Sequence, residues 1–248
     1  MSETIIKVRN LTVRYGDNTI LENISFDINR GEIFVIVGGS GCGKSTLMRQ
    51  IIGLETPTEG SIIVDGKEFV GSTEKQRREI LKLFGVMFQS GGLFASMTVG
   101  ENIALPLESY TAIKKDNISR LIDIYLSAVG LKGLEHFIPS ELSGGMKKRA
   151  AIARALALNP QILCFDEPSS GLDPITAASI DNLIKELNES LKTTMIVVTH
   201  DLQSILTIAD RIIMLDKSAK GIIAEGSPEQ LRNDKSNDIV YRFFNRIA

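Results

Sequence analysis

Ile33-Phe34-Val35-Ile36-Val37 runs directly into Gly38-Gly39-Ser40-Gly41-Cys42-Gly43-Lys44-Ser45-Thr46. An unbroken apolar run rich in β-branched residues reads as a strand buried on both faces, the habit of parallel sheets. Gly38 to Ser45 fits the pattern GxxxxGK[ST]. From Ser45 to about Ile52 the apolar spacing turns helical. Strand, glycine-rich turn and helix in that order place the turn at the carboxyl end of a strand, where α/β sheets bind their ligands. Glycines let backbone N–H groups curl inward on an anion, and the helix adds the positive end of its dipole. Lys44 supplies a mobile cation for the outer phosphates of a nucleotide, and the Ser45 hydroxyl supplies a ligand for Mg²⁺. Thr46, next in the helix, joins the same nucleotide-binding set. Cys42 contributes its backbone to such a loop, with redox sensing by its thiol as the alternative.

On the N-terminal side, Ile5–Val8, Leu11–Tyr15 and Ile24–Ile28 alternate apolar and polar residues, with turn signals at Gly16–Asn18 and Asn29–Gly31. After the first helix, Thr56–Gly60 breaks the pattern at Pro57, and Ser61–Phe69 reads as a hairpin around Asp65-Gly66. Residues 90–158 are mostly helical, with a periodic Leu121–Val129 and an Ala-rich Ala150–Leu158. The buried-strand signature returns at Ile162–Phe165 and Met195–Val198, on either side of a crossover helix Ile175–Leu191. Strand, helix, strand predicts an α/β fold with a parallel sheet, interrupted by a helical block.

The composition agrees. The 248 residues are 43% apolar and 23% charged, which excludes disordered and fibrous classes. The apolar runs are strand-sized, and a membrane span needs about 18 residues or more. A net charge of −2 argues against nucleic acid as a partner. Two cysteines, Cys42 and Cys164, make neither a disulfide framework nor a zinc pattern. Met1 to Asn10 has no signal-peptide core, so the expected compartment is the reducing cytoplasm.

The strand Ile162-Leu163-Cys164-Phe165 ends in Asp166-Glu167. At a strand end beside a phosphate loop, Asp166 can hold Mg²⁺ through a water. Glu167, one residue further, can reach the attacking water as base or orienter. Upstream stands Leu142-Ser143-Gly144-Gly145-Met146, followed by Lys147-Lys148-Arg149. Here the chain resembles the ATP-binding cassette (ABC) ATPases over almost its whole length. The LSGG core matches their signature motif, Gln89 their Q-loop, Ser170-Gly171-Leu172-Asp173 their D-loop and His200 their switch histidine. Tyr15 sits where the family stacks an aromatic on adenine, with a plain strand aromatic as the alternative.

The resemblance implies a P-loop NTPase core with a parallel sheet, an antiparallel N-terminal β subdomain and an inserted helical subdomain. In these terms 1–89 and 159–225 are the nucleotide-binding core, 90–158 the helical signature subdomain and 226–248 a helical tail. It also implies a homodimer in which ATP and Mg²⁺ lie between one phosphate loop and the opposite signature. There Ser143, Gly144, Gly145 and Asp173 reach nucleotide in trans, Gln89 approaches the metal, and Glu167, His200 and Lys44 serve hydrolysis. Met146 departs from the usual Gln, and a thioether cannot donate a hydrogen bond.

Phe88-Gln89-Ser90-Gly91-Gly92-Leu93-Phe94-Ala95-Ser96-Met97-Thr98-Val99, then Glu101 to Leu107, together with the run Glu141–Arg149 that includes Gly145-Met146-Lys147-Lys148-Arg149, looks like a narrower group. These are the ATPases of phospholipid transporters of the maintenance-of-lipid-asymmetry (Mla) type, which work with mammalian-cell-entry (MCE) domain proteins. Met146 is the expected residue in that group. The likeness implies a separate membrane permease, an MCE partner, a small cytoplasmic regulator, and a place on the cytoplasmic face of the inner membrane. Leu93, Phe94 and Met97 are expected to floor the groove for the permease. Another cargo, such as an amino acid or lipoprotein, and a soluble cassette clamp in iron–sulfur assembly or repair, are the alternatives. In the tail, Ile239, Val240, Phe243, Phe244 and Ile247 fall on one helical face, expected to pack on its own domain or on a partner. His136 reads as a surface residue.

Overall fold

The computed structural model describes residues 3–247. β1 (Thr4–Tyr15) and β2 (Asn18–Asn29) form an antiparallel hairpin that turns at Gly16, φ +57°. The two alternating runs expected in β1 are one strand. Asn10 sits between them at φ 48°, and the register slips between Val8 and Leu11, so both of those residues stay fully buried. β3 (Ile33–Gly38) leads through the glycine loop into α1 (Lys44–Ile51). β4 (Glu59–Val64) and β5 (Lys67–Glu68) make the expected hairpin. Its turn residues Asp65 and Gly66 are both left-handed, at φ 51° and 73°, as a type I′ turn requires.

α2 (Glu74–Leu81) starts at a capping box of Thr73 and Gln76, and β6 (Phe84–Met87) follows. α3 (Val99–Tyr110), α4 (Lys115–Ala128), a 3₁₀ turn (Pro139–Glu141) and α5 (Gly144–Leu156) make the helical block. β7 (Ile162–Asp166), α6 (Pro174–Leu191) and β8 (Thr194–Val198) form the expected crossover unit. α7 (Leu202–Ile208), β9 (Arg211–Asp216), β10 (Gly221–Gly226), α8 (Pro228–Asn233) and α9 (Asp238–Asn245) complete the described chain.

Two sheets result. The smaller is antiparallel in the order β2-β1-β4-β5, and the larger runs β10-β9-β3-β8-β7-β6. In the larger sheet every pairing from β9 to β6 is parallel, and β10 closes the other edge antiparallel. Its two faces feed two cores. Ile33, Val35 and Val37 join the helices of the block, while Phe34 and Ile36 pack toward the small sheet and α1. The same alternation runs through β7 and β8, which is why all three strands read as continuous apolar runs.

Three differences from the sequence reading have physical causes. The edge strand β6 was not expected, because it is four residues long and carries Gly85. That glycine lets α5 lie against the sheet: a Cβ there would overlap the Ala155 carbonyl oxygen. Residues 90–98 are irregular rather than helical. The buried Asn102 amide holds them by donating to the carbonyls of Phe94, Met97 and Thr98 at 3.1, 3.2 and 2.9 Å. In the tail, Val240 and Phe244 are buried in the main core, but Ile239 and Ile247 are each 49% exposed. Arg246 turns left-handed at φ 55° and ends α9, so Ile247 leaves the helical face. Among the described residues no helix is long and apolar enough to cross a membrane.

Candidate functional site

β3, β8 and β7 lie side by side and parallel, so their carboxyl ends bring the 38–45 loop, His200 and Asp166-Glu167 to one edge. The loop needs its glycines. Gly38 has φ +147°, and a Cβ on it would overlap the Leu215 carbonyl oxygen and meet Cys42 Sγ at 2.6 Å. Gly43 caps α1 from the left-handed region at φ 101°, with no side chain over the free N–H groups of the first turn. Lys44 Nζ donates to the carbonyls of Gly38 and Gly39 at 2.9 and 3.0 Å, which holds the ammonium across the loop. Ser40 and Gly41 form its exposed tip. Cys42 is buried, and that burial pushes its thiol up, which removes support from the redox alternative.

Ser45 Oγ donates to Asp166 Oδ1 at 3.5 Å. Burial first, and the neighbouring Glu167 second, push the Asp166 carboxyl up. A cation would relieve both effects. One hydroxyl and one carboxylate converging beside a phosphate loop are hard oxygen donors, a set that fits Mg²⁺ completed by phosphate oxygens and water.

Glu167 has a left-handed backbone at φ 51°, and its N–H donates to the Val198 carbonyl at 2.8 Å. This turns its carboxylate toward β8, where His200 Nδ1 lies 2.7 Å from Oε1. Beyond the pair opens a cavity of about 450 Å³ lined by Glu167, Ser170, Gly171, Leu172, His200 and Arg246. Gln89, two residues past β6, donates from Nε2 to Ser170 Oγ at 3.4 Å.

The remaining expected residues lie further out. Tyr15 is 48% exposed, and its hydroxyl, beside Thr46, is bonded to Glu55, which raises its pKa. Ser143 caps α5 by accepting from Met146 N–H at 3.3 Å. Ser143 and Gly144 are exposed, and among the described residues no hydrogen bond joins them to the 38–45 loop. Gly145 is buried because a Cβ would lie 2.5 Å from Thr176 Cγ2. Asp173 caps α6, and the Thr176 and Ile175 bonds it accepts hold its carboxyl below the usual range. His136 is on the surface as expected.

Sequence reasoning missed Lys148. It read Lys147-Lys148-Arg149 as a basic run, and the structure separates them. Arg149 donates to the Val129 carbonyl and to Ser179 Oγ, at 2.7 and 2.6 Å. Lys148 is buried and donates to the Gln89 and Glu167 carbonyls. The available signal was its phase, three residues after Gly145 on the face that carries the buried Ala151 and Ala155.

The family model described as ABC transporter matches residues 21–170. The intermembrane phospholipid transport system ATP-binding protein MlaF of Haemophilus influenzae is 41% identical over 97% of this chain and 90% of its own length. The probable ribonucleotide transport ATP-binding protein mkl of Mycobacterium leprae is 40% identical over 97% of this chain and 68% of its own. Among solved structures, the dimeric post-hydrolysis state of the ATP-binding cassette MJ0796 bound to ADP and Pi superposes with a TM-score of 0.81. It is 33% identical, covering 90% of this chain and 98% of that one. CbiO1 of Clostridium perfringens, part of the transporter complex cbiONQ, gives a TM-score of 0.85 at 31% identity, covering 94% and 92%. The chain belongs to the ABC transporter family, as an ATP-hydrolysing cassette.

Proposed function

We propose that this cassette powers a phospholipid transporter, and that the residues converging on the sheet edge carry its ATP chemistry. The observation that carries the chemical half is the Glu167–His200 pair, set one residue beyond Asp166 on the strand next but one to the phosphate loop. Backbone N–H groups of 38–45 and Lys44 bind the phosphates, and Tyr15 stacks on the base. Ser45, Asp166 and Gln89 hold Mg²⁺, which when bound neutralises charge on the transferring phosphoryl group. Glu167 accepts the proton of the attacking water, and His200 orients the carboxylate. Ser143, Gly144 and Asp173 are exposed on this chain because they serve, with the backbone of the buried Gly145, the nucleotide of a second copy. MJ0796, which is similar throughout its length, is a dimer, and this supports that reading.

The cargo half rests on the likeness to MlaF, named for intermembrane phospholipid transport. A permease docks in the groove lined by Ile52, Leu54, Leu81, Phe84, Phe88, Pro106 and Arg154, and the exposed Phe94 lies against Arg154 at its rim. Leu93 packs into the core, and Phe94 carries the Arg154 guanidinium on its ring. An MCE-domain protein and a small cytoplasmic regulator complete the assembly at the inner membrane. Affinity purification from detergent-solubilised native membranes, with mass spectrometry of proteins and lipids, tests this. Permease, MCE protein and phospholipid together support it. A permease with another cargo overturns the lipid reading. Soluble partners alone favour the clamp.

A further inference from the structure

Glu167 occupies a backbone conformation that a residue with a side chain rarely adopts, φ 51°. Such a conformation persists only where its surroundings over-determine it. Its N–H is pinned by the Val198 carbonyl at 2.8 Å, and its own carbonyl accepts from Lys148 Nζ at 3.2 Å. The same ammonium donates to the Gln89 carbonyl at 2.6 Å. Lys148 is 8% exposed, and both of these acceptors are main-chain atoms, so its bonds fix backbone rather than side-chain positions. Charge-assisted bonds of this kind are about twice as strong as neutral ones.

Three parts therefore meet at one atom. Gln89 begins the passage from the sheet into the helical block. Glu167 directly follows β7. Lys148 lies on α5, a single helix capped at its start by the exposed Ser143. A helix is stiff over so short a span, so a displacement at Ser143 carries to Lys148. We propose that Lys148 is a positioning residue that ties the Gln89 loop and the Ser143 helix to the backbone of Glu167. The carboxylate is then set for hydrolysis only when the helical block is seated on the core. This rests on Glu167 as the base.

The test uses the full chain with ATP and Mg²⁺ and compares Lys148→Met with Lys148→Arg. Methionine keeps the volume and removes the donors, and arginine keeps the charged donors. The expected result for Met is a kcat lower by about tenfold to a hundredfold, with KM for ATP within twofold and the thermal midpoint close to the parent. Arginine restores most of the loss. Hydrogen exchange gives a readout free of turnover: in the Met variant the segments around Gln89 and Glu167 speed up together, and in the Arg variant they do not. Parental kcat in the Met variant overturns the proposal. So does equal loss in both variants, which would mean packing alone, and so does acceleration of one segment without the other. If Glu167→Gln turned over normally, the base assignment would fail while the exchange result stood apart from it.

Discussion

His200 Nδ1 and Glu167 Oε1 are 2.7 Å apart, yet the imidazole is 68% exposed and the carboxylate only 12%. The carboxylate accepts a hydrogen bond from Nδ1–H, which leaves Nε2 outside this pair. A half-hidden base oriented by an exposed ring suits a site that closes against a second surface. The carboxylate is held in place on its own chain, and the ring remains within reach of whatever closes over it.

Replacing Glu167 by Gln is expected to lower phosphate release by about 10² to 10⁴ while ATP affinity stays within threefold. The amide keeps the shape but cannot take a proton. Titration with a fluorescent ATP analogue, beside a phosphate-release assay, separates the two. Retained turnover would remove Glu167 as the base.

Lys44→Ala is expected to weaken nucleotide binding by about tenfold or more, because the ammonium is the loop's own cation. Stability should fall only slightly. Of the two carbonyls that Lys44 caps, that of Gly39 can turn to water, since Gly39 and Ser40 are exposed, while Gly38 is buried and its carbonyl loses one partner. A binding isotherm and a melting curve on one sample check this. A fall in melting temperature with affinity intact would assign Lys44 to structure instead.

The strands that carry the site were legible because both of their faces are buried, which leaves no polar phase to confuse the reading. Ile33–Val37 shows this, since Val35 and Ile36 belong to different cores and are both fully buried. Gly38 to Ser45 was legible because its geometry demands glycine at named positions. Lys148 and β6 were not. Periodicity tells that Lys148 is buried but not that two carbonyls face it, and those carbonyls come from segments far away in sequence. β6 hides its meaning in a glycine whose purpose is the closeness of another helix.

Gly85→Ala tests that closeness. The added methyl overlaps the Ala155 carbonyl oxygen and lies 2.9 Å from Leu163 Cδ2, so backbone rather than a flexible side chain must move. Overpacking of this kind costs about 1–3 kcal/mol. At this chain length that is about 2–4 °C of melting temperature per kcal/mol. Urea unfolding measures it. An unchanged midpoint would mean that α5 rests more loosely on the sheet than its spacing to Gly85 requires.

Asp181 is 2% exposed and accepts from Ser204 Oγ at 2.8 Å through Oδ2, and among the described residues Oδ1 finds no hydrogen-bond partner. Burial first, and then Asp201, push its carboxyl up, against the Ser204 bond that lowers it. The sign follows from linkage. A carboxyl with a folded pKa above its unfolded one binds its proton more tightly in the native state, so stability falls as pH rises from the unfolded value of about 3.9 through the folded one. Above that window the cost is complete. Asn at 181 keeps an acceptor for Ser204 and carries no ionisable group. The Asn variant is therefore expected to match the parent near pH 4 and to exceed it in urea midpoint at pH 8. Because Ser204 also touches Asp201 Oδ2 and Ser169 Oγ, at 3.3 and 3.4 Å, the strain lies directly behind His200 and the Ser170 loop. A gap that is the same at every pH, or a less stable Asn variant at pH 8, would mean that the carboxylate is compensated and that this cluster does not weaken the native state.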